Sequence, residues 1–176
     1  MSTSAEVVLR DGAVARLRAV AYDDPVAREL VARVQQEYTA RYGGPDGAVV
    51  DACEFVPPAG LFLVAEVDGT PAGCGAWRAH APGVAEVKRV YVEPSCRRRG
   101  LAQVLVGALE SSAARAGHRS VVLNSGERQP EALALYRGAG YVPVPGYGIY
   151  ADAPGAVFLG KDLPGPDEDG ERSWAS

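Results

Sequence analysis

Three consecutive arginines, Arg97, Arg98 and Arg99, stand directly before Gly100, Leu101 and Ala102, where one pattern of apolar residues gives way to another. From Glu86 to Val92 the sequence EVKRVYV is dense in β-branched residues. Val90 and Val92 point one way and Tyr91 the other, as in a strand, and Pro94 ends it. Beyond Gly100, Leu101, Val104, Leu105, Ala108, Leu109 and Ser112 recur at helical spacing. The first turn of a helix leaves N–H groups without partners and carries the positive end of the dipole, and a glycine lets a ligand come close to the backbone. The chemistry favoured at such a corner is anion binding. Amides from Arg98 to Ala102 can converge on a diphosphate, and the arginine side chains can add ion pairs. The competing reading is a solvated charge run, which leaves its position at the junction of strand and amphipathic helix unexplained. No Gly-Lys-Ser/Thr follows the glycine, so this is not a Walker loop. One glycine where the dinucleotide fingerprint needs three excludes that motif as well.

The elements that must hold this corner are readable from the rest of the chain. Alternation across Asp11-Gly12 predicts an opening hairpin or one bent strand. Asp24-Pro25 reads as a cap and first helical residue, followed by Val26, Leu30, Val34 and Tyr38 four apart, with the helix ending before Gly43-Gly44-Pro45. Residues 46–60 read as a loop or short helix carrying Asp51, Glu54 and Phe55. LFLVAEV, Asp68-Gly69 and GCGAWRAH form a hairpin. After the central strand and helix, RSVVLN is an apolar strand, giving a right-handed βαβ unit with parallel strands. Pro130 opens a short helix, and strands near Tyr141–Val144 and Ala156–Lys161 close the sheet. The fold class expected is mixed α/β, a sheet of about six or seven strands, antiparallel in front and parallel in the middle, with helices on both faces. One domain is expected over 1–163. The acidic segment 164–176, almost devoid of apolar groups, reads as a disordered tail.

Composition narrows the function classes. A net charge of -4 argues against nucleic acid as partner, because backbone binding needs a broad basic surface, whereas the positive charge here is local. Three cysteines, Cys53, Cys74 and Cys96, are too few and too dispersed for a disulfide framework or a zinc site, so no metal is expected and the thiols read as reduced. The N-terminal residues lack a basic leader and an apolar run, and no stretch reaches the roughly 18 apolar residues of a membrane span, so the cytoplasm is the expected compartment.

Taken together, these blocks resemble the GCN5-related N-acetyltransferase (GNAT) superfamily. EVKRVYVEP leading into RRRGLA is similar to that family's cofactor motif through Arg97, Gly100 and Ala102. LNSGERQPEALALYRGAGY is similar to its later segment, with a tyrosine on a short helix before Gly-Tyr, and VFLGKDL to its last strand. The resemblance covers about residues 5–163 and is strongest from 86 to 141.

What the resemblance implies is transfer of an acetyl group from acetyl coenzyme A to a primary amine. The diphosphate would sit on Arg97, Arg98, Arg99, Gly100, Leu101 and Ala102, and the pantetheine arm would run along Val90, Tyr91 and Val92 where that strand splays from its parallel neighbour. Backbone groups left unpaired by a splay complete a pantetheine amide, and a free N–H at Val90 or Val92 can meet the oxyanion developing during attack. Tyr136 matches the family's general acid toward the departing thiolate; a phenol of pKa about 10 suffices for a thiol near 8.5. Glu86 is the candidate base, direct or through water, with Asp51, Glu54 and His80 as alternatives. Asn124 is a candidate hydrogen-bond partner of the cofactor, against a plain turn former. Trp77 and Tyr42 are candidates for an acceptor pocket, and Tyr147 and Tyr150 for its cover or a second subunit. The acceptor reads as a small-molecule amine: Glu37, Asp51, Glu54 and Glu86 suit a cation, while Arg78 and Arg89 suit a carboxylate. Acetylation of a protein, which predicts an open groove between residues 42–58 and 143–156, is the alternative, and a non-catalytic acyl coenzyme A sensor is another. A homodimer through the final strands or a surface helix is compatible with the sequence.

Overall fold

The computed structural model describes residues 4–165, so all but the first two residues of the expected tail lie outside the described residues. Eight strands form one sheet in the order β1-β2-β3-β4-β5-β6-β8-β7. The N-terminal hairpin pairs β1 (Ser4–Val8) with β2 (Val14–Ala19), and β3 (Gly60–Val67) and β4 (Thr70–Ala81) form the second. β5 (Val84–Val92) is antiparallel to β4 and parallel to β6 (Ser120–Gly126). The last strand in sequence, β8 (Ala156–Asp162), inserts antiparallel beside β6 and leaves the two-residue β7 (Val142–Pro143) at the edge. The count exceeds the six or seven expected because the opening segment forms two strands rather than one bent strand.

Three helices cover the two faces. α1 (Pro25–Tyr42) starts on Asp24, whose carboxylate accepts from the amides of Val26 at 2.9 Å and Ala27 at 3.4 Å, and stops at Gly43, which takes the left-handed φ of 83°. Its buried face, Ala27, Leu30 and Val34, packs with Phe55, Phe62, Val64, Cys74, Ala76 and Tyr91. α2 (Leu101–Arg115) and α3 (Pro130–Gly138) lie on the other face, where Leu101, Leu105, Leu109, Leu133 and Tyr136 meet Val87, Val92, Val121 and Leu123. Burying such side chains contributes about 1.5–3 kcal/mol each. Trp77, a candidate pocket residue, is instead a core residue: it is 2% exposed and its Nε1 donates to Ser112 Oγ on α2 at 3.0 Å.

β5 is where the sheet opens. Its parallel pairing with β6 holds only for Val84, Ala85 and Glu86, opposite Ser120, Val121 and Val122, while on the β4 side pairing continues to Val92. Beyond Glu86 and Val122 the two strands have facing edges that do not bond to one another.

Candidate active site

The open segment of β5 is also bulged. Its register against β4 slips between Cys74 and Ala76, so that Arg89 and Val90 together face Gly75, and Arg89 takes a φ of 59°. A bulge adds one residue to the strand and re-aims the backbone groups that follow. Ala85 and Val87 lie in the α2 core, and so does partly buried Val90 with Val92, although the first two positions are odd and the last two even. Only an inserted residue permits that change of parity. The break was present in the sequence as two apolar pairs out of step, and alternation alone could have found it.

Two cavities flank the opening. The larger, about 570 Å³, runs from Val90, Tyr91 and Val92 past Arg97, Arg98, Gly100, Leu101 and Ala102 to Tyr136 on α3. Arg98 and Gly100 both have positive φ, 62° and 88°, and Gly100 precedes the first residue of α2 with no side chain capping the helix. Among the described residues, none of the amides from Arg98 through Gln103 donates to a protein acceptor. Unclaimed amides at a helix start, beside two positive-φ residues, suit an anion, and they are the observation of this structure that fits a diphosphate.

The three arginines divide their work. Arg97 donates from Nε to the Val92 carbonyl at 2.9 Å and from Nη2 to Glu37 at 2.9 Å, and lies over the Tyr91 ring. Arg99 is paired with Asp11 on the opening hairpin at 2.5 Å. Arg98 is exposed and, among the described residues, makes no ion pair. Tyr136 is 7% exposed, edge-on to Tyr141 with ring centroids 5.5 Å apart. Burial, and then nearby Tyr38, push its phenol well above the ordinary tyrosine value, so it holds its proton at neutral pH.

The second cavity, about 320 Å³, lies beyond the opening and is lined by Tyr38, Tyr42, Asp46, Lys88, Asn124, Ser125 and Tyr150 among others. Gln129 lines both cavities. Asn124, the cofactor candidate, lines this cavity, with its Oδ1 buried and, among the described residues, without a partner. Tyr42, the pocket candidate, and Tyr150, the cover candidate, both line this cavity. The sequence reading missed Asp46, Lys88 and Gln129. Asp46 receives Arg89 Nη1 at 2.5 Å and the Ala48 amide at 2.9 Å. Burial alone would raise its carboxyl, but the Ala48 amide, Lys88 and Arg89 outweigh this and hold it below the usual carboxylate range.

Glu86, the candidate base, is 4% exposed and lies beneath Lys88 rather than on the wall of either cavity. Its oxygens receive Arg78 Nε at 2.9 Å, Lys88 Nζ at 3.5 Å and the Tyr147 hydroxyl at 3.4 Å. Among the alternatives, Asp51 caps the 3₁₀ turn Ala52–Phe55 and Glu54 is bonded to Arg78, while His80 stacks against Tyr147 with ring centroids 4.5 Å apart.

A splayed parallel pair, a bulge at the splay and unclaimed amides where the next helix starts are features that suit an acyl coenzyme A-dependent N-acyltransferase. The comparisons agree. The sequence profile of the acetyltransferase (GNAT) family matches residues 26–141, and the chain belongs to that family. An IAA acetyltransferase of Azospirillum brasilense is 30% identical over 136 residues, covering 77% of this chain and 89% of that protein. A Klebsiella pneumoniae structure assigned provisionally to the acyl-CoA N-acyltransferases superposes with a TM-score of 0.72 at 28% identity, over 84% of this chain and 97% of that one. The GNAT domain of S. lividans PAT shares the fold, with a TM-score of 0.69 at 24% identity over 91% of this chain and 97% of that domain. Within the described residues no helix is long and apolar enough to cross a membrane.

Proposed function

We propose that the chain transfers an acetyl group from acetyl coenzyme A directly to the primary amine of a small molecule. The observation that carries this reading is the opening between β5 and β6 beyond Glu86 and Val122, with unclaimed amides at one end and a second cavity at the other. Acetyl coenzyme A, when bound, supplies an acyl group activated on sulfur. The amides from Arg98 to Ala102 hold its diphosphate, Arg98 adds charge, and the edge of β5 from Val90 to Val92 pairs with the amides of its arm. An N–H of the bulged strand donates to the thioester oxygen as negative charge gathers there.

In the transfer, the amine nitrogen bonds to the acyl carbon and the carbon–sulfur bond breaks. Tyr136, kept protonated by its burial, gives its proton to the departing sulfur. The amine's own proton leaves through water toward Glu86, since both carboxylate oxygens already have protein partners and direct contact would require breaking them. Three free cysteines accord with a reducing compartment, and the cytoplasm is the one proposed.

A protein substrate needs an open groove between residues 42–58 and 143–156. The contact across that groove favours the small molecule instead: the Gly47 amide donates to the Tyr150 hydroxyl at 2.7 Å, joining the two segments. Farther along, Arg41 Nη1 donates to the Arg128 carbonyl and Arg128 Nη1 to the Arg41 carbonyl, both at 2.7 Å, tying α1 to the segment before α3. The test is a panel of amines with acetyl coenzyme A, read by release of free thiol. Turnover with small amines is expected; turnover with polypeptides alone, or with no amine at all, would overturn the reading.

A further inference from the structure

The charged groups around the acceptor-side cavity are not equally occupied. Asp46 is held by Arg89 at 2.5 Å, Glu86 by Arg78 at 2.9 Å and Glu54 by the same guanidinium at 2.7 Å. Glu37, on the wall of the larger cavity, is paired with Arg97 and Arg41. A polycationic acceptor would find each of these carboxylates already taken, and freeing one strands a buried or half-buried arginine.

Lys88 is in the opposite condition. Its ammonium has three donors, yet its nearest carboxylate oxygens are Glu86 at 3.5 Å and Asp46 at 3.8 Å, at or beyond the limit of a hydrogen bond. It lines the cavity, and its side chain is only 10% exposed, so water does little to solvate the charge. Across the opening stands Asn124. The last paired residues are Glu86 and Val122, and Lys88 and Asn124 each lie two positions farther along their strands, facing the same gap. Among the described residues, Asn124 Oδ1 is a buried acceptor without a donor. One wall of the cavity thus offers a cation whose two carboxylate neighbours, at 3.5 and 3.8 Å, leave N–H donors free, and the other an acceptor that, among the described residues, has no N–H.

From this pairing we propose that Lys88 selects acceptors that carry a carboxylate beside the amine: an amino acid or a close derivative, its carboxylate on Lys88 and its amine N–H on Asn124. The inference rests on the small-molecule acetyltransferase reading above. It makes Lys88 a specificity-determining residue and excludes polyamines as preferred acceptors.

The experiment compares matched pairs, each an amino acid and its decarboxylated amine: phenylalanine with phenethylamine, tyrosine with tyramine, arginine with agmatine. Thiol release from acetyl coenzyme A is measured for the unaltered protein, Lys88→Met and Lys88→Arg. The unaltered protein should favour the amino acid in kcat/KM by tenfold or more. Lys88→Met should erase that preference, chiefly by raising KM for the amino acid, while the decarboxylated amine improves because a like charge is gone. Lys88→Arg, which keeps the charge, should retain most of the preference. Equal use of both members, or preference for the decarboxylated amine by the unaltered protein, overturns the inference and leaves the small-molecule reading standing. No turnover of any member, with turnover of other small amines, also overturns the inference alone. No turnover of any small amine overturns both.

Discussion

Arg97 binds the strand that feeds its own loop: its Nε donates to the Val92 carbonyl at 2.9 Å, and its Nη2 reaches Glu37 on α1. An arginine so occupied sets the shape of the cradle, whereas Arg98, exposed and unpaired among the described residues, is the one available to phosphate. Arg97→Ala should therefore lower stability by about 1–2 kcal/mol through a lost hydrogen bond and ion pair. Arg98→Ala should leave the melting temperature unchanged and raise KM for acetyl coenzyme A by about tenfold, an effect that shrinks with added salt. Thermal melts and cofactor saturation curves at two ionic strengths separate the two roles.

Tyr136 is buried and its phenol is shifted upward, first by burial and then by Tyr38. Burial keeps the proton on across the range in which an amine nucleophile becomes neutral, but it also penalises the phenolate left behind, so the transfer must be drawn by the charge developing on the departing sulfur. Tyr136→Phe should cut kcat by about 100-fold or more while leaving the dissociation constant of acetyl coenzyme A within about twofold. The rate of the unaltered enzyme should show no falling limb from Tyr136 up to about pH 10, the ordinary tyrosine value. A fall in affinity equal to the fall in kcat would make Tyr136 a packing residue.

Local signals in the chain were legible because they act over a few residues. Asp24 and Gly43 mark the ends of α1, and Asp68 and Gly69 both take the positive φ that a tight hairpin turn requires. The unclaimed amides before α2 follow from the same short-range logic. Side-chain partners were not legible, because they are chosen by elements far apart in sequence: Arg97 with Glu37, Arg99 with Asp11, Arg89 with Asp46. That is why the acids and arginines read as possible substrate contacts are largely engaged with one another, and why Lys88, which looked like one more strand residue, emerges only in three dimensions. Which side of the opening Asn124 serves depends on strand register, and no local pattern encodes it.

Asp46 and Arg89 make a strong case for a measurable effect of pH on stability. Arg89 is 4% exposed, its Nε buried and, among the described residues, without a partner, and Asp46 is its carboxylate at 2.5 Å. Asp46→Ala strands the guanidinium and should cost about 3 kcal/mol or more at pH 7. Because the folded carboxyl is held below its unfolded value, its contribution is complete above about pH 4 and declines as pH falls through the folded value. The stability gap between Asp46→Ala and the unaltered protein, measured by urea unfolding from pH 7 down to pH 3.5, should therefore narrow only at the acid end. A gap that is constant across that range would assign the loss to packing rather than to charge.

Gly126 and Tyr42 share a wall of the smaller cavity. A β-carbon at Gly126 would stand 2.2 Å from the Tyr42 hydroxyl and 2.8 Å from Cζ, so Gly126→Ala must displace the ring. Tyr42 is 42% exposed and ends α1, which lets the ring swing outward at a cost below the roughly 1–3 kcal/mol typical of an overpacked core. The fold should survive with a small change in melting temperature. Tyr42 would leave the wall of the smaller cavity, and KM for the acceptor should change by about three- to tenfold, a difference near 1 kcal/mol. KM for acetyl coenzyme A should change less, because Tyr42 does not line the larger cavity. Since the effect is transmitted through one side chain, Tyr42→Ala should abolish it: Tyr42→Ala with Gly126→Ala should behave as Tyr42→Ala alone. Additive effects of the two substitutions on acceptor KM would mean that Gly126 acts through the strand end itself, and that the aromatic ring is a bystander.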